Sequence, residues 1–126
     1  KVEDEATIIL TYPKTQVIIQ ASWNWPFNVK DMEVFGNQGY VKCLNGRDIQ
    51  LKTNENPKVT SIKAEALPAN QNDPFVYFAN VVNKKIDIKP TDLSSPENNL
   101  IVMKILAAAR KSASEGKTII WSQEYE

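Results

Sequence analysis

The sequence predicts an α+β chain, a mostly antiparallel sheet with helices on one of its faces. Three observations predict it. The first half carries β-branched and aromatic runs broken by proline and glycine turns, the pattern of a strand meander. The second half changes to apolar residues at helical spacing, opened by Asp73-Pro74 and again by Ser95-Pro96. Asn45-Gly46 marks a tight hairpin inside the strand-rich half. With 126 residues the chain is long enough for one domain, residues 1–126, and too short for two ordinary ones.

The elements follow in order. Ala6-Thr7-Ile8-Ile9-Leu10-Thr11-Tyr12 is a strand by its β-branched and aromatic content, and Pro13 ends it. Residues 16–25 alternate. Val17, Ile19, Ala21, Trp23 and Trp25 fall on one face, and Gln16, Ile18, Gln20, Ser22 and Asn24 on the other. Pro26 stops this strand. Met32-Glu33-Val34-Phe35 and Tyr40-Val41-Lys42-Cys43-Leu44 are short strands joined through Gly36-Asn37-Gln38-Gly39. Asn45 and Gly46 tolerate the positive φ that both turn positions of a type I′ hairpin need. Residues 49–53 return from that turn, and residues 59–67 form a further strand after the polar turn Asn54-Glu55-Asn56-Pro57.

Asp73 then reads as an N-cap with Pro74 at the first helical position, where its missing N–H costs nothing. Phe75, Phe78, Ala79 and Val82 continue at helical spacing until Asn83-Lys84-Lys85, and a polar connector containing Pro90 follows. Ser95, Pro96 and Glu97 open the longest helix, with Arg110 and Lys111 near its other end and Gly116 as its stop. Residues 96–115 make a rod about 30 Å long. Leu100, Met103, Leu106 and Ala107 form one stripe on it, which Ile101, Val102, Ile105, Ala108 and Ala109 widen almost around its middle. A helix so apolar needs cover on more than one side, so a second surface is expected there. Residues 118–121 look like a last strand.

Composition removes several classes of function. Fifteen basic and fifteen acidic side chains cancel, which leaves no electrostatic footprint for nucleic acid or anionic lipid. The absence of histidine excludes Ser-His-Asp and Cys-His nucleophile systems and histidine-based metal sites. Cys43 is the only cysteine, so no internal disulfide forms. No apolar run approaches the roughly 20 residues of a membrane span. The four glycines, Gly36, Gly39, Gly46 and Gly116, fit neither a dinucleotide turn nor a phosphate-binding loop. The start, Lys1-Val2-Glu3-Asp4, has no Met and reads as a cut rather than a beginning.

Trp23-Asn24-Trp25-Pro26-Phe27 is the most conspicuous candidate site. Alternation makes core the default for Trp23 and Trp25, whereas Asn24, on the opposite face near the strand end, is the better polar contact. Lys30-Asp31, Arg47-Asp48 and Glu3-Asp4-Glu5 read first as solvated surface, and Glu97-Asn98-Asn99 as capping.

Several segments together resemble a known family. They are Asp4-Glu5-Ala6-Thr7-Ile8-Ile9-Leu10-Thr11-Tyr12-Pro13, Gln20-Ala21-Ser22-Trp23-Asn24-Trp25-Pro26-Phe27, Lys30-Asp31-Met32-Glu33-Val34-Phe35-Gly36, and the tail from Ser95-Pro96-Glu97-Asn98-Asn99 to Gly116-Lys117-Thr118. In this order they resemble the C-terminal domain of the Gfo/Idh/MocA oxidoreductases. The resemblance implies an open-faced, mainly antiparallel sheet whose free face forms subunit contacts, hence a homo-oligomer. It implies a parent with an N-terminal Rossmann domain, absent from this sequence, that binds NAD or NADP and transfers hydride on a sugar or polyol.

The family's catalytic lysine lies in a Glu-Lys-Pro segment, and its Asp and His partners lie on an early helix of the C-terminal domain. Neither segment stands in this sequence, so no catalytic, cofactor-binding or metal-binding residue is carried over. The chain is then expected to be the later part of that domain, inactive alone and binding no cofactor itself. It would supply sheet, subunit surface and one substrate wall, with Asn24, Trp25 and Lys30 as the substrate-binding candidates. Cytoplasm is the default compartment. The rival expectation is a self-sufficient carbohydrate-binding module using Trp23, Trp25 and Tyr40, or a purely structural association module.

Overall fold

The computed structural model describes residues 3–125, apart from the side chains of Gln123 and Glu124. It is α+β, as the sequence predicts, with two small antiparallel sheets in place of one. The chain divides into two units. The first takes the chain up to Thr7 and Ile19–Asn72, and the second takes Ile8–Ile18 and the chain from Asp73 onward.

A hairpin of β1 (Glu5–Tyr12) and β2 (Thr15–Ser22) has its base in the first unit and its tip, at Pro13-Lys14, in the second. The rest of the first unit is a four-strand antiparallel meander of β3 (Met32–Gly36), β4 (Gly39–Leu44), β5 (Asp48–Thr53) and β6 (Thr60–Lys63). Its β4–β5 turn matches expectation: Asn45 at φ 55° and Gly46 at φ 70° let the Arg47 N–H reach the Leu44 carbonyl at 3.2 Å. The expected strand over 59–67 shortens to Thr60–Lys63. That stretch pairs with β5, and one further backbone bond in the same register, from the Ala64 N–H to the Arg47 carbonyl at 2.8 Å, closes the ladder. One turn of helix, α1 (Ala69–Asn72), closes the unit and carries no sequence signal that set it apart.

The meander has two unlike faces, because side chains alternate across each strand. Register brings Met32, Cys43, Ile49 and Ile62 into one cross-strand row, and Val34, Val41, Leu51 and Thr60 into the next row of the same face. The other face carries Glu33, Lys42, Gln50 and Ser61, with Phe35 and Tyr40 beside Lys52. There Lys42 Nζ lies 3.0 Å from Glu33 Oε1 and 5.3 Å from the Phe35 ring centre. Lys42 thus finds both its ionic and its aromatic partners on this face. On the apolar face Met32 is 60% and Val34 55% exposed, and no apolar side chain of the described residues is buried.

In the second unit both helices begin as the sequence predicts. Asp73 Oδ1 accepts from Phe75 and Val76 N–H, each at 2.9 Å, at the start of α2 (Pro74–Val82). Ser95 caps α3 (Pro96–Glu115), and Gly116 ends it in the left-handed conformation at φ 63°. Lys104, Ile105, Ala108, Ala109, Lys111 and Ser112 form its half-buried stripe. Ile101 and Val102, 51% and 43% exposed, lie outside that stripe, so the uncovered breadth behind the second-surface expectation is present. The last strand expected over 118–121 does not form: residues 118–120 are irregular, and Trp121 opens a short helix, α4 (Trp121–Tyr125). Tyr125 Oη donates to the Lys104 carbonyl at 3.0 Å, and its ring stacks at a tilt on Trp121, 4.7 Å between centres. Those two residues, four apart, meet on one helical face, which a strand would not bring together. Among the described residues no helix is long and apolar enough to cross a membrane.

Candidate functional site

The sequence-predicted cluster sits where β2 leaves the base of the hairpin. Strand pairing stops at Ser22, and the next backbone bond runs from Trp23 N–H to the Asp4 carbonyl at 2.8 Å. Ser22 Oγ then accepts from the Asn24 N–H at 3.0 Å, a local turn that competes with extension of the strand. The alternation that runs through Val17, Ile19 and Ala21 therefore does not reach the tryptophans.

This corrects the core assignment of Trp23 and Trp25. Trp23 is 89% exposed and Trp25 43%, so neither ring is part of a core. Asn24 makes the polar contact its position suggested, but with the protein itself: Nδ2 donates to Asp4 Oδ2 at 3.3 Å. Lys30 lies in the exposed loop before β3 and does not line the depression described next. Its neighbour Asp31 ties that loop to the β4–β5 turn by accepting from the Asn45 N–H at 3.0 Å.

A shallow depression of about 250 Å³ opens at the hairpin base, lined by Glu5, Ala6, Thr7, Gln20, Ala21, Ser22 and Trp25. Glu5 and Thr7 stand two apart on β1 and share one face, as do Gln20 and Ser22 on β2. Ser22 Oγ donates to Glu5 Oε1 at 3.0 Å, which puts both pairs on the same face. A carboxylate, an amide and two hydroxyls thus stand together beside a half-exposed indole. Sequence reasoning placed Gln20 and Ser22 on a common face but read Glu5 as part of a solvated acidic terminus. The cue for joining them was the shared two-residue period of the two strands.

The chemistry on offer is recognition. Carboxylate and carbonyl oxygens accept, amide and hydroxyl protons donate, and the indole presents an apolar face. Among the described residues no group of three histidine, cysteine or acidic side chains is placed to hold a metal ion. Comparison with protein-family models, with curated proteins and with solved structures found no match.

Proposed function

We propose that the chain is the later part of the substrate-side, C-terminal domain of an NAD(P)-dependent oxidoreductase acting on a sugar or polyol. In this reading it supplies sheet scaffold, a subunit interface and one wall of the substrate site. The cofactor, NAD or NADP, belongs to a Rossmann domain of the parent, and a second copy of the chain covers the open sheet face.

The observation that carries this reading is the apolar face of the meander, two adjoining rows in which Met32, Val34, Val41 and Ile62 are exposed and Cys43, Ile49 and Leu51 half-buried. Burying one such side chain is worth about 1.5–3 kcal/mol, so a face of this kind is stable in water only when covered. The ordered segments from Asp4 to Gly36 and from Ser95 to Thr118 supply the family resemblance.

Calorimetric titration of the purified chain with NADH and NADPH, paired with sedimentation, tests the division of labour. The expected result is no nucleotide heat and a self-associated species. Tight nucleotide binding, or a monomer at every concentration, overturns it.

A second reading, a self-sufficient carbohydrate-binding module, draws support from the exposure of Trp23 and Trp25. Acrylamide quenching separates the two. Sugar shielding of Trp25 in a chain that self-associates fits the first reading, whereas sugar shielding of both rings in a chain that stays monomeric favours the module.

A further inference from the structure

We infer that the polar face at the base of the β1–β2 hairpin, with Trp25 beside it, holds a neutral sugar or cyclitol. The inference rests on the reading just given and assigns its substrate wall to Glu5, Thr7, Gln20 and Ser22 rather than to Asn24 and Lys30.

Four features lead there. The depression is lined by side chains of matching chemistry, since a polyol hydroxyl both donates and accepts and these residues do both. Ser22 occupies Glu5 Oε1 and so fixes the carboxylate plane against the strand, which orients it before any ligand arrives. The indole of Trp25 lines the same depression, where its face can stack on the C–H side of a sugar ring, while Trp23 does not line it. No lysine or arginine stands among the lining residues and Glu5 is acidic, so the surface favours an uncharged ligand over a phosphorylated one.

Asn24 and Lys30 take other places. The Asn24 amide bonds to Asp4 and its backbone bonds to Ser22, so it is a positioning residue that sets the turn carrying Trp25. Lys30 lies on the loop beyond.

Two-dimensional proton–nitrogen NMR of the purified chain tests this through the indole N–H signals of Trp23, Trp25 and Trp121. The probes are myo-inositol, D-glucose and the phosphate ester of glucose. The expected result is a saturable shift of Trp25 with the neutral probes at millimolar concentration, and a much weaker one with the phosphate. Glu5→Gln and Gln20→Ala should each weaken binding about tenfold, the scale of one hydrogen bond to a polar or charged group. Amide signals elsewhere identify the variants that remain folded, and Gln20→Ala serves alone if Glu5→Gln does not.

The inference is overturned by no saturable Trp25 shift with either neutral probe, by equal affinity for the phosphate, or by binding indifferent to both substitutions. Failure here leaves the nucleotide titration and the self-association result unaffected, so the two readings fail separately.

Discussion

Ser95 Oγ accepts the Asn98 N–H at 3.0 Å while donating to the Pro90 carbonyl at 2.7 Å, and Ser95 is the one fully buried side chain among the described residues. One hydroxyl thus caps α3 and ties it to the connector that precedes it. Ser95→Ala removes the cap and leaves a carbonyl without its donor, and should cost about 2 kcal/mol. Urea unfolding followed by circular dichroism measures it. A loss under about 0.5 kcal/mol would show that the cap contributes nothing beyond an ordinary exposed serine.

The row that joins Val34 to Val41 and Leu51 makes a second expectation specific. A charge in the middle of a covered apolar face must be desolvated without a partner. Val34→Glu should therefore weaken self-association by about 2 kcal/mol, about thirtyfold in dissociation constant. Lys52→Glu, on the opposite face, should leave it unchanged. Sedimentation across a concentration series reads both, and equal effects of the two substitutions would refute the assignment of the interface to this face.

How much of this was legible follows from where each signal is local. Helix starts are written in two or three adjacent residues, so Asp73-Pro74 and Ser95-Pro96 located α2 and α3 to the residue. The Asn45-Gly46 turn was equally plain, because its constraint is the φ of those two residues. Strand ends were less legible. Alternation continues through Trp25, but it records side-chain character and not pairing, and the bond from Asn24 N–H to Ser22 Oγ decided the end of β2. The 118–121 run is apolar and short, the case in which period is least informative; residues 118–120 pair with no strand, and Trp121 joins the helix in which it stacks on Tyr125. The candidate site was half legible: Gln20 and Ser22 were placed on one face, yet Glu5 could join them only once the hairpin had brought two distant segments side by side.

Gly39 and Gly46 are both at positive φ, for different reasons that mutation can separate. A Cβ on Gly39 would run into the Lys52 carbonyl oxygen and come within 2.8 Å of Thr53 Cα, both backbone atoms of the paired strand. One on Gly46 would meet nothing within 4 Å, so only the left-handed backbone is at stake. Gly46→Ala should cost about 1–2 kcal/mol, and Gly39→Ala about 3 kcal/mol or more because β4 and β5 must also separate. Urea midpoints of the two variants decide it, and a Gly39→Ala cost no larger than that of Gly46→Ala would sink the close-approach argument.

At the other end of α3, Lys117 Nζ lies 2.9 Å from Glu115 Oε2. The left-handed Gly116 and the bond from Ser112 Oγ to the Lys117 carbonyl, at 2.6 Å, fold the chain back so that the two side chains meet. The hydrogen bond from Lys117 holds the Glu115 carboxyl below its ordinary value of 4.5, with further help from the charges of Lys117 and Lys111. A carboxylate whose folded value is depressed stabilises the fold above its unfolded value, and that contribution disappears as pH falls through the folded value. The helix end should therefore keep this contact at neutral pH and lose it only on acidification below the usual glutamate range. The pair is exposed, so added salt should shrink the effect. Carbon-detected NMR titration of Glu115 should give a midpoint below 4.5, and Lys117→Met should raise it. If the midpoint were the same in both proteins, the contact would not exist in solution, and the turn at Gly116 would rest on its backbone bonds and the Ser112 hydroxyl.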